Sequence, residues 1–197
     1  PRADKRRFGL VKKEQTLIFT HSCRTEPRMR SIALLSLLMI LPCIARADLS
    51  SFTAGPVIED YGPVADIDIT VPVPKDAVFR HSFDVAKRAE DGELNRTLVS
   101  AARFINMHAR AGVDADNIKL AVVVHGTAVH DVSGETPASA ELIAALIDNG
   151  VRIFVCGQSA AYYDVTTDDL FPGVEMALSA MTVHALLQQQ GYSLNPF

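Results

Sequence analysis

The chain has 197 residues, of which 48% are apolar and 21% charged. This balance is typical of a globular protein of about one domain, and it excludes collagen, coiled coil and disorder for the chain as a whole. The formal net charge of −4 conceals an uneven distribution. Residues 1–47 carry ten Lys or Arg and three Asp or Glu, a balance of +7, whereas residues 48–197 carry nine and twenty, a balance of −11. The two parts therefore have different roles.

The basic part contains the pattern of a secretory signal peptide. Arg28 and Arg30 precede a run of apolar residues, 32–44, and the small-x-small triplet 45–47 follows it. Signal peptidases cut after such a triplet. The run is 13 residues long, which is shorter than the roughly 20 apolar residues that a membrane-spanning helix needs. We therefore expect an exported protein without a stable membrane anchor.

These features divide the N-terminal part into two segments. Met29 directly precedes a basic residue of the signal, so translation is expected to start there, with residues 1–28 as an upstream extension. The signal peptide is predicted over residues 29–47, with cleavage after Ala47 and a periplasmic location for the product. The remaining 150 residues are enough for one domain with a sizeable core.

Charge and cysteine content limit the function of residues 48–197. Their net charge of −11 opposes nonspecific binding to nucleic acid, because the phosphates repel it. Two of the three cysteines lie in the leader, so only Cys156 remains and no internal disulfide can form. An unpaired thiol in an exported protein calls for an explanation.

The exported part begins with an arm and continues as alternating strands and helices. Residues 48–77 hold four prolines, which favours an extended arm on the surface. Apolar residues at helical spacing predict a helix over 93–111, and the apolar run 118–124 predicts a strand covered on both faces. The other predicted elements are a strand at 78–85, a loop at 125–137, a helix at 139–149, a strand at 151–155, a short strand at 174–178, a helix ending at 190 and a last strand at 192–194.

Five strands alternating with helices predict an α/β fold over residues 78–197, in which a mostly parallel sheet lies between helical layers. In such folds the functional site lies beyond the carboxyl ends of the strands. Three predicted strand ends carry polar or reactive residues, namely Asp84, His125 and Cys156. These strand ends are the first place to look for chemistry.

Cys156 directly follows a predicted strand and precedes a predicted helical turn. Exposed backbone N–H groups at such a turn favour the thiolate, which is the reactive form of cysteine. Gly157 permits a tight turn, and Gly157, Gln158 and Ser159 are expected to bind substrate. The alternative is that Cys156 is an inert, small apolar residue buried at the end of its strand.

His125 occupies the same position one strand earlier. If the two strands are close, its imidazole supplies a proton or a positive charge beside the thiol. Alternatively, it hydrogen-bonds the backbone of its own loop. A metal site of His125, His130 and Cys156 is a further alternative, although no tight ligand spacing supports it. His184, on the last predicted helix, is assigned a packing or surface role.

Several motifs of known chemistry are missing from the sequence. It has no GxGxxG and no GKS/T phosphate loop, so no nucleotide or flavin cofactor is expected. CxxC is absent, which argues against thioredoxin-type chemistry, and so is the GxSxG turn of hydrolases. We therefore predict neither a cofactor nor a bound metal.

Several short motifs follow one another over residues 118–197, namely VVVHG at 122–126, NGV at 149–151, IFVCGQSA at 153–160, PGVEMALSA at 172–180 and GYSLNPF at 191–197. Their order resembles the DsrE/DsrF-like family, which includes sulfur-relay proteins. The resemblance implies a three-layer α/β/α sandwich that forms homotrimers or homohexamers. In the sulfur-relay members, a cysteine after the third strand carries sulfur as a persulfide, and Cys156 matches it.

The unpaired cysteine and the resemblance together predict a periplasmic sulfur carrier or sulfurtransferase-like protein. Cys156 is expected to accept sulfane sulfur from a donor, hold it as a persulfide and pass it to an acceptor thiol or to sulfite. Its partners would be a donor or acceptor protein or a small thiol. The alternative function is a noncatalytic oligomeric binding or assembly module of the same fold, with a structural cysteine.

Overall fold

Short strands in an N-terminal arm are followed by a regular series of longer strands and helices. The computed structural model describes residues 50–134 and 137–195. The predicted upstream extension, signal peptide and cleavage site lie outside the described residues. In chain order the elements are β1 Phe52–Thr53, β2 Val64–Ala65, β3 Phe79–Val85, α1 Arg96–Arg110, β4 Ile118–Val124, α2 Pro137–Asp148, β5 Arg152–Cys156, α3 Gly157–Tyr162, β6 Val174–Ala177, α4 Ala180–Gln189 and β7 Ser193–Leu194.

Five of the strands form one sheet with the order β6-β5-β4-β3-β7. All of its pairings are parallel, and β4 lies at its centre between β3 and β5. Parallel neighbours need crossover connections, which the helices provide. Helices cover both faces of this sheet, so the predicted α/β/α sandwich with a parallel sheet of about five strands is confirmed.

The central strand β4 lacks a polar–apolar alternation because both of its faces are covered. Leu120, Val122 and Val124 point to the face under α1 and α2. Ala121 and Val123 point to the opposite face, under α4. Successive side chains of a strand alternate between faces, so each face receives its own set of apolar residues. All five residues are completely buried, and they divide the interior into two apolar cores.

One buried amide side chain fixes the N-terminal arm to α1. The Asn106 side chain accepts hydrogen bonds from the backbone N–H groups of Val57 and Ile58. It also donates to the backbone carbonyls of Ile58, Tyr61 and Gly62. Beside this anchor, β1 and β2 pair antiparallel. The prolines of this segment predicted an extended arm, but the antiparallel pair and the anchor were not predicted.

The predicted boundaries of the helices and strands fall within three residues of the observed ones. Helix α1 begins later than predicted because the Asn95 side chain caps it by accepting from the N–H of Thr97. Strand β5 runs one residue further than predicted, so Cys156 is its last residue. No helix within the described ranges is both long enough and apolar enough to span a membrane.

Candidate functional site

The alternation of side chains along the strands places Asp84 and Cys156 on the same face of the sheet. In β5, Phe154 and Cys156 belong to the core beneath α4. In β3, Phe83 and Val85 belong to the core beneath α1 and α2. Asp84 lies between them in sequence and therefore faces α4. Because the strands are parallel, both residues lie at the carboxyl edge of the sheet, where a site was expected.

The chain turns sharply after Cys156, which is both the last residue of β5 and the N-cap of α3. A Cβ atom built on Gly157 would lie 2.6 Å from the carbonyl oxygen of Ala177, closer than real Cβ atoms approach. Only glycine therefore lets the end of β6 lie against this turn. The close approach holds Cys156 at the edge of the sheet.

The pKa of Cys156 lies below the ordinary value for a thiol. Burial raises the pKa of this thiol, since the residue is 6% exposed. Hydrogen bonds to the sulfur more than offset the burial. They come from the hydroxyl of Ser159 and from the backbone N–H groups of Ala180, Ser159 and Gln158. These N–H groups belong to the first turns of α3 and α4, where the thiolate charge is favoured.

Ser159 links the thiol to the loop that carries His125. The hydroxyl oxygen of Ser159 accepts a hydrogen bond from the N–H of Gly126 at 3.0 Å. A hydroxyl has one proton, so this contact at the oxygen leaves the proton free for the sulfur of Cys156. Gly126 has φ of +55°, a conformation that glycine adopts readily. The loop therefore orients a group that stabilises the thiolate.

The carboxylate of Asp84 lies between two imidazole rings. Its Oδ2 is 3.0 Å from Nε2 of His125, and its Oδ1 is 2.7 Å from Nε2 of His184. A carboxylate only accepts, so each Nε2 donates a proton to it. Burial raises the pKa of Asp84, but the hydrogen bonds and charges of the two histidines more than offset it and lower the pKa overall. Asp84 is therefore ionised at neutral pH and fixes the orientation of both rings.

These groups line one cavity of about 260 Å³. Its lining consists of Asp84, His125, Cys156, Gln158, Ser179, Ala180, Met181 and His184. Of the predicted site residues, Cys156, His125 and Gln158 line this cavity. Gly157 shapes the turn and Ser159 hydrogen-bonds the sulfur, but neither is part of the lining. Cys156 is thus buried, but a cavity leads to it.

A second, larger cavity of about 340 Å³ lies between β6 and α4. It is lined mainly by apolar side chains and by the ion pair of Arg152 with Glu175, whose nitrogen and oxygen atoms are 3.2 Å apart. None of the residues that line it is a cysteine or a histidine. We therefore place the candidate site at the cavity that contains Cys156.

The described residues do not assemble the metal site that was considered from the sequence. The ring of His130 packs against Tyr163, with centroids 5.4 Å apart, and it does not line the cavity. Within 50–134 and 137–195, no three His, Cys, Asp or Glu residues are arranged to hold a metal ion. The ring of His125 contacts Asp84 and not the backbone of its own loop.

His184 belongs to the site, although the sequence analysis assigned it a packing or surface role. It lies four residues after Ala180, the first residue of α4, and so on the same face of that helix. Its Nδ1 atom is buried and has no hydrogen-bond partner in the part of the chain that the structure describes. The signal in the sequence was its position one turn into the helix that follows β6, but only the strand order connects it to Asp84.

A sequence model of the DsrE/DsrF-like family matches residues 81–196, a range that includes the whole candidate site. Among solved structures, the chain is similar to MTH1491, a protein of unknown function from Methanobacterium thermoautotrophicum. The identity is 19%, the alignment covers 59% of this chain and 97% of that chain, and the TM-score is 0.49. It is also similar to the ychN protein from E. coli, with 16% identity, 59% and 100% coverage and a TM-score of 0.44. Comparison with curated protein sequences finds no match.

Proposed function

The chain belongs to the DsrE/DsrF-like family, and on that premise we propose that it is a sulfur carrier that holds sulfane sulfur as a persulfide on Cys156. The family is associated in general with sulfur relay. One observation carries the proposal for this chain. Three backbone N–H groups and one hydroxyl converge on a sulfur atom at the wall of a cavity. Such donors stabilise both a thiolate and the anion of a persulfide.

Loading of the carrier is a nucleophilic displacement at sulfur. The thiolate of Cys156 attacks the terminal sulfur of a donor persulfide, R–S–SH. A new S–S bond forms at Sγ, the S–S bond of the donor breaks, and R–S⁻ leaves with the electron pair. No oxidant is consumed, because the sulfane sulfur only changes its partner.

His125 and the loop after Cys156 support this displacement. His125 lines the same cavity as Cys156 and supplies the proton that the departing thiolate takes up. Gln158 lines the cavity as well, and its side chain donates to the carbonyl of Leu178 at 3.3 Å. Together with the turn at Gly157, these residues hold the sulfur where a donor can reach it.

Uptake of one sulfur atom tests the proposal. The purified protein is mixed with 2-hydroxyethyl persulfide, and intact-mass spectrometry and peptide mapping then locate any added sulfur. We expect one added sulfur on Cys156 in the wild type and none at this position in Cys156→Ser. No uptake by the wild type, or equal uptake by the variant, would contradict a carrier based on Cys156.

A noncatalytic binding or assembly module is the alternative function. The observation that favours it is the low exposure of Cys156, 6%, which also suits a structural cysteine. Alkylation separates the two functions. A structural cysteine reacts with iodoacetamide only after unfolding, whereas a carrier cysteine reacts in the native protein.

We also propose that the protein forms homotrimers or homohexamers. Leu178, Met181 and Leu186 expose large apolar side chains on the α4 side of the sheet, at 71%, 80% and 50%. Exposed apolar side chains that cluster are typical of interaction surfaces. Light scattering on the purified protein would give three or six chains per particle. A single chain at every concentration would contradict this proposal.

A periplasmic site of action is part of the same proposal. Its support is the signal pattern of residues 29–47, which lies outside the described residues. N-terminal sequencing of the protein recovered from a periplasmic extract should begin at Asp48. Recovery of the chain in the cytoplasm with residues 29–47 still attached would contradict the proposed location.

A further inference from the structure

Building on the proposed carrier function, we infer that the acceptor of the sulfur is a thiol and that Asp84 positions His125 to remove the proton of that thiol. A thiol is mostly protonated at neutral pH and must lose its proton to become a nucleophile. An anionic acceptor such as sulfite is a nucleophile already and needs no base. The residues around the cavity suit a thiol acceptor, which needs a base, and not an anion such as sulfite.

Asp84 determines which nitrogen of His125 is free to act. Its Oδ2 accepts from Nε2 of His125 at 3.0 Å, so Nε2 carries a proton and Nδ1 keeps its lone pair when the ring is neutral. Catalytic triads use the same arrangement, in which a carboxylate holds one nitrogen of a histidine and the other nitrogen deprotonates a nucleophile. His125 and Cys156 line one cavity, so a thiol that enters it meets both.

Asp84 acts through His125 and not on the sulfur itself. Strand β4 lies between Asp84 and Cys156, because Asp84 is level with Val123 and Val123 is level with Phe154. Two strand spacings across the sheet and two residues along it place the Cα atoms of Asp84 and Cys156 roughly 12 Å apart. Asp84 is therefore a positioning residue.

His184 holds the same carboxylate from the opposite side. Its Nε2 lies 2.7 Å from Oδ1 of Asp84, and its side chain is 17% exposed, compared with 32% for His125. The more buried ring therefore anchors the carboxylate, and the more exposed ring faces an entering ligand. This division makes His125 the base and His184 a second positioning residue.

Charge disfavours an anionic acceptor at this cavity. The carboxylate of Asp84 forms part of the lining, and residues 48–197 carry a net charge of −11. Both repel an anion such as sulfite. Ala180 and Met181 add apolar surface to the lining, against which a neutral organic thiol packs without the cost of burying a charge.

The transfer step balances in atoms and charge. His125 takes the proton of R–SH, and R–S⁻ attacks the terminal sulfur of the Cys156 persulfide in its Sγ–SH form. The S–S bond at Sγ breaks, its electron pair remains on Sγ, and R–S–SH leaves. The N–H groups of Gln158, Ser159 and Ala180 stabilise the thiolate that is released. No oxidant or reductant is needed.

Discharge of the loaded protein into two acceptors tests the inference. Protein that carries a persulfide on Cys156 is mixed at pH 7 with 2-mercaptoethanol or with sulfite, and the loss of one sulfur is followed by intact-mass spectrometry. In Asp84→Asn and in His125→Gln, we expect discharge into the thiol to slow by at least about tenfold. Discharge into sulfite should not slow in either variant, and in Asp84→Asn the loss of a repelling charge favours it. At about pH 9, above the ordinary pKa of a thiol, much of the acceptor is already thiolate and needs no base. The rates of discharge into the thiol in the two variants should then approach the wild-type rate.

A matched control comes from the loop that carries His125. His130→Gln removes a histidine that packs against Tyr163 outside the cavity, and it should discharge at the wild-type rate into both acceptors. Equal slowing with thiol and sulfite, or unchanged discharge into the thiol in the two site variants, would overturn the inference and leave the carrier function standing. A wild-type protein that takes up no sulfur would overturn both.

Discussion

Oδ1 of Asp84 lies 2.7 Å from Nε2 of His184, although the two residues are 100 positions apart in the chain. The contact joins strand β3 to helix α4, which covers that face of the sheet. Because Asp84 also binds His125 just after β4, three separate elements meet at one carboxylate. The site therefore depends on the order of the strands and not on any local motif.

Replacement of Ser159 by alanine should make Cys156 less reactive at neutral pH. Ser159 hydrogen-bonds the sulfur through both its hydroxyl and its backbone N–H, and the variant loses only the hydroxyl bond. One hydrogen bond to a charged group is worth about 1.5–3 kcal/mol, so alkylation of native Cys156 by iodoacetamide at pH 7 should slow by about tenfold or more.

The control for this variant is Ser100→Ala. The Ser100 hydroxyl donates to the carbonyl of Arg96 within α1, away from the cavity. Its removal should leave the alkylation rate unchanged. Equal rates in Ser159→Ala and the wild type would show that the hydroxyl does not stabilise the thiolate.

Gly157→Ala should destabilise the fold and disturb the site. The added Cβ would lie 2.6 Å from the carbonyl oxygen of Ala177, so β6 or the turn must move. Overpacking of this kind costs about 1–3 kcal/mol, which exceeds the gain of up to about 1 kcal/mol from replacing a helical glycine with alanine. Urea denaturation measures the difference, and an unchanged or increased free energy of unfolding would contradict the close approach.

Asn106→Ala should release the N-terminal arm from α1. The variant leaves the buried N–H of Ile58, the partly buried N–H of Val57 and three backbone carbonyls without their partner. Each unsatisfied buried group costs about 1–3 kcal/mol, so we expect a loss of about 3 kcal/mol or more in the free energy of unfolding. Asn149→Ala is the control, because that exposed side chain, just after α2, donates only to the carbonyl of Ala145 in that helix. Equal effects of the two substitutions would contradict the anchoring role of Asn106.

Because the ring of His108 is partly buried, it should make the fold less stable in mild acid than at neutral pH. Burial lowers the pKa of His108, and nearby His81 lowers it further, against the opposing effect of the Phe104 carbonyl. A histidine with a lowered pKa in the folded state contributes stability above its unfolded pKa of about 6.5, and this stability is lost as the pH falls through the folded value. His108→Phe keeps the ring stacked on Phe104 and removes the titration. Melting temperatures between pH 7.5 and 5 should therefore fall more steeply in the wild type, and parallel profiles would contradict this assignment.

The sequence was sufficient to predict the strands and helices because their apolar patterns reflect burial. The run 118–124 was predicted as a strand covered on both faces, and β4 is that strand, with its residues divided between two cores. The arm was harder to predict. Its antiparallel pair is only two residues long on each side, and Asn106, which anchors the arm beside it, lies 44 to 49 positions along the chain from the residues that it contacts.

The candidate site was predictable only in part. Cys156 and His125 could be identified because each follows an apolar strand, and strand ends are where such folds place their sites. The pairing of Asp84 with His184 could not be identified, because it requires knowing that the chain after β6 returns across the sheet and that α4 covers the face of Asp84. The N–H group of Ala180 at the sulfur was unpredictable for the same reason.

The pH dependence of alkylation of Cys156 in the native protein shows whether the thiolate is both stabilised and accessible. Iodoacetamide reacts with the thiolate, so its rate from pH 6 to 9 measures ionisation and access together. We expect Cys156 to react in the folded state, with a midpoint below the ordinary thiol pKa of about 8.5. A native Cys156 that stays unreactive over this range, and reacts only once the protein is unfolded, would contradict it.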